Sequence, residues 1–376
     1  MQTAAASHAA RSRPHLVLVE DGCVRVGPIA ALPQVLREFA VDPAEVAAEI
    51  GIDVGLFDDP DNTIPFAVLG RLLQECVARS GCPHFGLLVG KRSAASSLGL
   101  VSRLIQHSPV VGTALRNLVL YLQLQDRGAV PTLVVEDELV LLGYTVYQKG
   151  VVAADQIYDA AIAIGCNILR TLCGPGFQLS EVLLRRAKPV NREPYRRFFG
   201  APVHFDADQS ALAFPAAWLD HPVSGADARV YQALQAEAAE AVNRLGVDFV
   251  ARVRRLLHGL VITGGTTVEQ AAFLLNMHRR TLNRRLAAEG TSFKALLGEV
   301  RFEIAQQLLR DTQIPILDIA AALGYTAAAA FTRAFKAWSG HSPTAWRRRA
   351  SKAEPSQPGG ARNAADFISG DVNSPV

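Results

Sequence analysis

The 376-residue sequence has no long hydrophobic run and few cysteines. No stretch of about 18 uncharged apolar residues occurs, which argues against a membrane-spanning helix. Met1–Pro14 carries two arginines but no following apolar stretch with a cleavage site, so we do not expect a signal peptide. The five cysteines form no C-x-x-C pair, and their odd number argues against a disulfide framework. These absences predict a cytoplasmic protein without a membrane partner.

Enzyme and metal motifs are also missing. The nine histidines are scattered without H-E-x-x-H spacing, and no G-x-S-x-G elbow occurs. Gly86–Arg92 is similar to a phosphate-binding loop, but it is one residue too short between its glycines, and Arg92 stands where Ser or Thr must reach magnesium. We therefore predict no enzyme, no cofactor and no metal. The competing hypothesis is an enzyme whose activity lies in residues 1–225 with a further domain appended, and turnover of a ligand by that fragment would support it.

The most informative feature is a pattern that occurs twice, in residues 267–286 and 315–338. Each copy begins with an apolar, alanine-rich helical run that ends at Asn276 or Gly324, residue types that tolerate a left-handed turn. A second helical run follows in both copies. This order of elements predicts a helix-turn-helix, whose second helix enters the major groove of DNA.

The two copies are 48 residues apart, and the segment between them explains this distance. Apolar residues recur at helical spacing from Ser292 to Arg310, which predicts a helix with one buried face. At about 1.5 Å per residue this helix is roughly 28 Å long. It could hold two recognition helices about one DNA turn apart. We expect His278 to be the N-cap of the first recognition helix and Thr326 that of the second, where Thr326 is the better cap. An ordinary helical bundle that binds no DNA is the alternative.

Charge is divided unevenly along the chain. Residues 251–350 contain 15 Lys+Arg against 6 Asp+Glu, a net charge of +9. Residues 1–250 contain 21 against 26, a net charge of −5. A basic domain with clustered arginines indicates phosphate binding. The acidic half is expected to bind something other than DNA.

Three further motifs lie in the basic half: Arg301-x-x-x-Ala305-x-x-Leu308-Leu309, Ile316-x-x-Ile319-Ala320-x-x-Leu323-Gly324-Tyr325, and Phe331-x-Arg333-x-Phe335-x-x-Trp338-x-Gly340-x-Ser342-Pro343. Together they resemble the signature of the AraC/XylS transcription regulators. Weaker similarity runs through residues 30–222, including Ser108-Pro109 and Phe199-Gly200-Ala201-Pro202. That half resembles the arabinose-binding-type ligand-sensing domain found in a subset of these regulators, and not their cupin-type domain.

We therefore predict an α+β sensor domain followed by an all-α DNA-binding domain with two helix-turn-helix motifs joined by a long helix. The expected divisions are a poorly ordered segment 1–24, a ligand-sensing and dimerisation domain 25–225, a connector 226–244, an AraC-type DNA-binding domain 245–350 and a disordered tail 351–376. Expected helices in the first half are Leu32–Phe39, a helix from Asp42-Pro43-Ala44-Glu45, Ile64–Val77, Val111–Leu124 and Ala153–Leu172. Expected strands are Thr132–Val135, Leu139–Thr145, Val182–Arg185 and Val203–Phe205. A hinge is expected at Asp220–Ala228, followed by a helical connector from Arg229 to Leu257 that runs into the first helix of the DNA-binding half.

The resemblance implies that Arg280, Asn283 and Arg284 of the first recognition helix reach base edges. The chemistry agrees, since arginine can fork onto guanine and asparagine onto adenine. Expected phosphate contacts come from His278, Arg279, Arg285, Arg254, Arg255 and Lys336, with Arg252 as a further candidate.

The second recognition helix departs from the family pattern. Ala327–Ala330 replaces polar residues that are common at this position, so Thr332 and Arg333 are the expected base readers. We expect Ala328 to face the groove, where it would tolerate substitution by glutamine. Recognition is thus expected to be asymmetric, with the first helix specifying the site and the second mainly anchoring the protein.

The predicted function is a sequence-specific regulator whose partners are double-stranded DNA and a small-molecule effector of unknown class. A homodimer is a further expected state, and RNA polymerase is a partner if the chain is an activator. The alternative is a constitutive DNA-binding regulator whose N-terminal domain only dimerises.

Overall fold

The computed structural model describes residues 19–148, 150–245, 248–262, 266–275, 277–311 and 315–350. The strands in this part of the chain are β1 Cys23–Arg25, β2 Thr63–Pro65, β3 Ala129–Glu136, β4 Leu139–Val146, β5 Glu181–Leu183, β6 Val203–His204 and β7 Ala211–Pro215. The helices of the first half are α1 Leu32–Glu38, α2 Pro43–Glu49, α3 Phe66–Ser80, α4 Phe85–Arg92, α5 Gly99–Gln106, α6 Val111–Tyr121, α7 Ala154–Cys173, α8 Glu193–Phe199 and α9 Ala228–Arg244. Those of the second half are α10 Phe249–Ile262, α11 Val268–Leu274, α12 Arg279–Ala288, α13 Phe293–Asp311, α14 Ile316–Ala322, α15 Ala328–Ser339 and α16 Pro343–Ala350.

The first half is built on a five-stranded sheet with strand order β3-β4-β7-β5-β6. All neighbours pair antiparallel except β5 and β6, which are parallel. Helices α6 and α7 pack against the sheet, and β1 and β2 form a separate two-stranded ribbon. β3 is therefore an edge strand, available for packing against another part of the molecule.

Helices α4 and α7 approach each other at backbone distance because two glycines of α4 face α7. A Cβ atom on Gly86 would lie 2.1 Å from the backbone oxygen of Gln156, and one on Gly90 would lie 2.3 Å from that of Ala160. Gly86–Arg92 is accordingly a packing helix, and its glycine spacing serves helix contact.

The second half contains the two expected helix-turn-helix units, α11–α12 and α14–α15, joined by the 19-residue helix α13. The side chains of Leu296, Val300 and Leu309 on α13 are buried at 0–1% exposure. Thr267 begins α11 with a capping box, in which its hydroxyl accepts from the Gln270 backbone N–H at 3.1 Å. The predicted fold class is confirmed in both halves.

The helical connector expected over residues 229–257 consists of two helices, since α9 ends at Arg244 and α10 begins at Phe249. Several other local expectations were wrong. Ile64 and Pro65 belong to strand β2, so helix α3 begins later than expected. Strand β7, in the middle of the sheet, was not predicted. The end of the segment expected to be poorly ordered holds strand β1, which begins at Cys23.

One expected helix cap also differs, whereas the expected hinge at residues 220–228 stays a prediction. Residues 220–228 are tied to the start of α6, because the Val111 N–H donates to His221 and the Val223 N–H donates to Pro109. Helix α15 has Ala327 as its N-cap, with no side-chain hydrogen bond, in place of Thr326. Asn276, most of the segment 1–24 and the tail 351–376 lie outside the described residues. Among the described helices none is both long and apolar enough to cross a membrane.

Candidate nucleic-acid interface

Helix α12 is held in place by two buried leucines and a histidine cap. Leu282 and Leu286 are both 0% exposed and face the core of the domain. The His278 Nδ1 accepts a hydrogen bond from the Arg280 N–H at 3.2 Å, which caps one of the unsatisfied donors of the first turn. His278 is thus an effective cap despite its modest preference for this position.

The opposite face of α12 presents Arg280, Asn283 and Arg284, all exposed. Their spacing of three and four residues places them together on one side of a helix. None of the three side chains makes a hydrogen bond or ion pair within the part of the chain that the structure describes. The three residues that we expected to read bases therefore lie together on an open surface.

Two neighbouring arginines lie on the flanks of this surface. Arg279 pairs with Glu269 of α11 at 3.0 Å, and this hydrogen bond lowers the pKa of the Glu269 carboxyl group. The guanidinium of Arg285 lies over the ring of Phe249, with its central carbon 5.5 Å from the ring centroid. Both remain exposed at the rim, beside His278.

Arg254 and Arg255 of α10 are placed differently from our expectation of phosphate contact. Arg254 pairs with Glu299 and, at 2.8 Å, with Glu303 of α13. Arg255 donates to the backbone oxygens of Asp126 and Ala129 in the first half of the chain. Both arginines therefore bond protein groups, because α10 packs against α13 on one side and against the first half of the chain on the other.

The second recognition helix, α15, offers fewer polar groups. Phe331 and Phe335 are 0% exposed and hold the helix on the core. Thr332 is half-buried, whereas Arg333 is exposed, as is Lys336. Ala328, which we expected to face the groove, instead packs partly against the hydrophobic core. The exposed alanines of this turn are Ala327 and Ala329.

Arg301 of α13 fixes the turn before α15, a role that the sequence did not reveal. Its guanidinium lies 5.0 Å from the centre of the Tyr325 ring and donates to the Thr266 hydroxyl at 3.3 Å. Gly324 adopts a φ of +73°, and a Cβ there would lie 3.0 Å from the Arg301 Nη2. A side chain at residue 324 would therefore be strained and would displace this arginine.

The second half of the chain is docked on the edge of the five-stranded sheet. Helix α10 packs on β3, where a Cβ on Gly259 would lie 2.9 Å from the Thr132 Cγ2. The rings of Tyr147 and His258 stack with centroids 5.7 Å apart. Arg116 of α6 lies over the ring of Phe273 of α11, at 4.9 Å. Gly259 lies inside a helical pattern, and this was the feature of the sequence that could have indicated the contact between α10 and β3.

A cleft lies between the sheet, α6 and α7, and we call it the sensor cleft. Its volume is about 90 Å³, and its lining includes Leu118, Gln125, Asp126, Leu142, Tyr144 and Ile168. Burial raises the pKa of Asp126, while nearby Arg255 and the hydrogen bond from Tyr144 act in the opposite direction. No cluster of metal-ligating side chains occurs in the described ranges.

A mixed α/β domain docked on paired helix-turn-helix units is the architecture of a two-domain transcription regulator. Residues 41–223 match the family described as the arabinose-binding domain of AraC transcription regulators, and residues 271–349 match a helix-turn-helix domain family. The chain belongs to the AraC family of DNA-binding transcription regulators, which bind double-stranded DNA.

Known relatives are similar along most of the chain. The HTH-type transcriptional regulator Mb1430 of Mycobacterium bovis is 30% identical over 332 residues, 85% of this chain and 94% of that protein. The ornithine utilization regulator of Pseudomonas aeruginosa is 28% identical, with 83% and 91% covered. The crystal structure of the regulator CdpR from Pseudomonas aeruginosa matches with a TM-score of 0.45 and 22% identity, covering 85% of this chain and 96% of that one. The matched families and relatives are transcription regulators and not enzymes.

Proposed function

We propose that this chain recognises a specific promoter or operator through α12, anchors itself through α15, and changes its DNA binding when a small molecule binds the sensor domain. The open face of Arg280, Asn283 and Arg284 is the observation that carries the proposal. Arginine and asparagine side chains without protein partners are suited to bidentate contacts with guanine and adenine. The alanine-rich start of α15 supplies no comparable set of donors.

Phosphate contacts in this proposal come from the rim of the surface. His278, Arg279 and Arg285 flank the reading face on one recognition helix, and Lys336 lies on the other. Arg333 is exposed, and the alanines that precede it supply no polar groups for a shared reading surface, so we assign it to phosphate. We do not assign phosphate contacts to Arg254 and Arg255, because their protein partners occupy them.

Control by an effector is supported by the docking of the sensor domain on α10 and α11. A ligand that binds one arrangement of the two halves more tightly than another must shift their equilibrium. The name of one relative refers to ornithine utilization. The sensor cleft here has no lysine, arginine or histidine in its lining, so it is poorly suited to the carboxylate of an amino acid.

The remaining parts of the proposal are a homodimer as the working form, action in the cytoplasm on bacterial DNA, and contact with RNA polymerase if the chain activates transcription. The competing function is a constitutive DNA-binding regulator whose first half only dimerises. We also propose the domain boundaries predicted from the sequence, at residues 225, 244 and 350.

Selection of DNA from a random-sequence library with the full-length chain tests the central part of this proposal. We expect one enriched motif, bound about 10³-fold or more tightly than scrambled DNA. A second measurement follows thermal melting with a metabolite panel, since a bound ligand raises stability by mass action. DNA selection without enrichment would contradict sequence-specific binding. Specific DNA binding that ignores every bound metabolite would favour the constitutive alternative.

A further inference from the structure

We propose that the sensor cleft binds a small, uncharged and mostly apolar molecule that carries one group able to donate and accept a hydrogen bond, and that its binding shifts α10. This inference rests on the proposed function, because it names the effector class and the route for the control proposed above. The proposal rests on five features of the cleft: its apolar wall, the amide of Gln125, the charges of its lining, its volume, and the hydrogen bonds that connect it to α10.

One stripe of α7 forms an apolar wall of the cleft. Ala161, Ile164, Gly165 and Ile168 follow the spacing of one helix face, and all four line the cleft. The first three are only half-buried, although α7 packs against the sheet. Leucines of α6 and β4 face this stripe from the other side. Apolar walls that lack packing partners lose dispersion contacts, so an apolar molecule is the natural occupant.

Gln125 supplies the polar end of the site. Its side chain lines the cleft and is 4% exposed, yet its carboxamide hydrogen-bonds no group within the described ranges. The two polar atoms of this amide are not sealed in the core, so they can bond a molecule that enters the cleft. A carboxamide both donates and accepts hydrogen bonds, so it matches an amide or an alcohol on a ligand.

The lining excludes a charged ligand. It contains no basic side chain that could pair with a carboxylate. Its acid, Asp126, is already satisfied, because its carboxylate accepts from Gly128 N–H and Ala129 N–H, each at 2.9 Å, and from the Tyr144 hydroxyl. The one carboxylate of the lining is therefore already engaged by three protein donors, and an ammonium group would have no unengaged carboxylate to pair with. Burying an unpaired charge is strongly unfavourable, which leaves an uncharged molecule.

The volume of the cleft limits the size of the ligand. It measures about 90 Å³, whereas an apolar cavity of roughly 150 Å³ accommodates benzene. On this scale a molecule with about four carbon atoms fills the apolar part of the cleft.

The cleft is connected to the first helix-turn-helix by its own walls. Asp126 follows Gln125 directly, and its backbone oxygen accepts a hydrogen bond from Arg255 of α10. Helix α6, which forms another wall, contacts α11 through Arg116 and Phe273. A ligand that shifts Gln125 moves the adjoining backbone of Asp126, and with it the hydrogen bond that holds Arg255 of α10. Helix α10 in turn packs against α11 and α12.

Thermal melting of the full-length chain with four matched probes tests the ligand class: n-butanol, butyramide, butyrate and butylammonium. Both uncharged probes should raise Tm by about 2–4 °C at a concentration roughly tenfold above Kd, and the charged probes should not. Ala161→Leu fills the cleft and should remove both shifts. Gln125→Leu should remove most of the butyramide shift, and it decides the question if Ala161→Leu does not fold.

Three outcomes would overturn the ligand class: no shift with either uncharged probe, an equal shift with the charged probes, or shifts that persist in both variants. General solvent effects of the probes affect wild type and variants alike, so the difference between them reports the cleft.

The route to DNA is tested with Arg255→Met, which keeps the apolar stem of the side chain and removes its donors. Butyramide should change the affinity of the wild type for its selected operator about fivefold or more. Arg255→Met should keep the melting shift and lose this change. An unchanged affinity in the wild type, or linkage that persists in the variant, would refute the route. Specific DNA binding without any probe effect refutes this inference alone, whereas probe binding without specific DNA binding refutes the proposed function.

Discussion

At the scale of single residues, the proposed specificity resides in three side chains on one face of α12. Arg280, Asn283 and Arg284 are exposed, whereas Leu282 and Leu286 between and beyond them are fully buried. Substitutions at the three exposed positions should therefore leave the packing of the helix unchanged. Base contacts and fold stability are separable at these positions.

Asn283→Ala and Arg284→Ala should each weaken binding to the selected operator by about 1–3 kcal/mol. Each removes one proposed bidentate contact, so base preference should relax at one position while binding to random DNA hardly changes. The measurement is binding of each variant to a saturation-mutated operator library at one fixed salt concentration. Uniform loss across all sequences would show that these side chains hold phosphates.

Arg333→Ala should weaken binding to operator and random DNA alike, with the salt slope reduced by about one phosphate contact. The half-buried neighbour Thr332 provides the matched control, since Thr332→Ala should cost much less than either change on α12. Salt titrations of both variants by fluorescence anisotropy measure this. Relaxed base preference in the variants at 332 and 333, with none on α12, would assign specificity to the other helix.

The sequence could predict which residues of α12 share its exposed face, because helical spacing is a local property; that they read bases stays a prediction. It could not predict the engagement of Arg254 and Arg255. The partners of Arg254 lie 45 and 49 residues away, and a backbone partner of Arg255 lies 129 residues away. A sequence pattern identifies a basic side chain, but only the tertiary structure determines whether it faces DNA or another part of the protein.

At the scale of elements, α10 and α13 form the scaffold that carries both helix-turn-helix units. Glu303 of α13 bonds His258 at 3.0 Å and Arg254 at 2.8 Å. These contacts lower the pKa of Glu303, with the hydrogen bond to His258 as the largest cause. A lowered pKa means that the pair stabilises the fold above the ordinary carboxyl pKa and loses this effect as pH falls.

Glu303→Gln should destabilise the chain by roughly 0.5–1 kcal/mol near neutral pH, a small value because the pair is partly exposed to solvent and ions. The difference from wild type should shrink as pH falls below about 4.3, the ordinary pKa of glutamate. Urea unfolding at neutral and acidic pH gives the two values. Glu289→Gln, at an exposed position, is the control and should change neither. A Glu303→Gln effect that is independent of pH would exclude the charge as its cause.

Element boundaries were predictable where a local signal marks them and less so elsewhere. Asp42 begins α2 as expected, and its carboxylate accepts from the Ala44 N–H at 2.9 Å. The break between α9 and α10 was missed because apolar residues continue at helical spacing on both sides. Strand β7 is buried between β4 and β5, so it lacks the polar and apolar alternation of a half-exposed strand.

At the scale of the whole molecule, the two halves share an interface between β3 and α10. Gly259→Leu should separate them, because even a Cβ at this position would lie 2.9 Å from the Thr132 side chain. We expect calorimetry to show one cooperative transition for the wild type and two for the variant. Ala295→Leu places the same side chain at an exposed position of α13 and should retain the single transition. Unchanged unfolding of Gly259→Leu would mean that the interface contributes little.

The basic charge of the second half leads to a further prediction for the complete chain. Residues 251–350 carry a net charge of +9, so released counterions should dominate the salt dependence of DNA binding. Phosphate contacts are shared by every DNA sequence, whereas base contacts are made only at the operator. Salt should therefore weaken both kinds of complex, while the preference for the operator persists.

The most direct test of the account measures the affinity of the full-length chain for its selected operator and for scrambled DNA over a range of salt concentrations. We predict that log K falls linearly with log salt for both DNAs, by about 0.9 for each phosphate neutralised. The operator should remain about 10³-fold or more tighter. A complex that is insensitive to salt, or equal affinity for both DNAs, would contradict sequence-specific DNA binding through this surface.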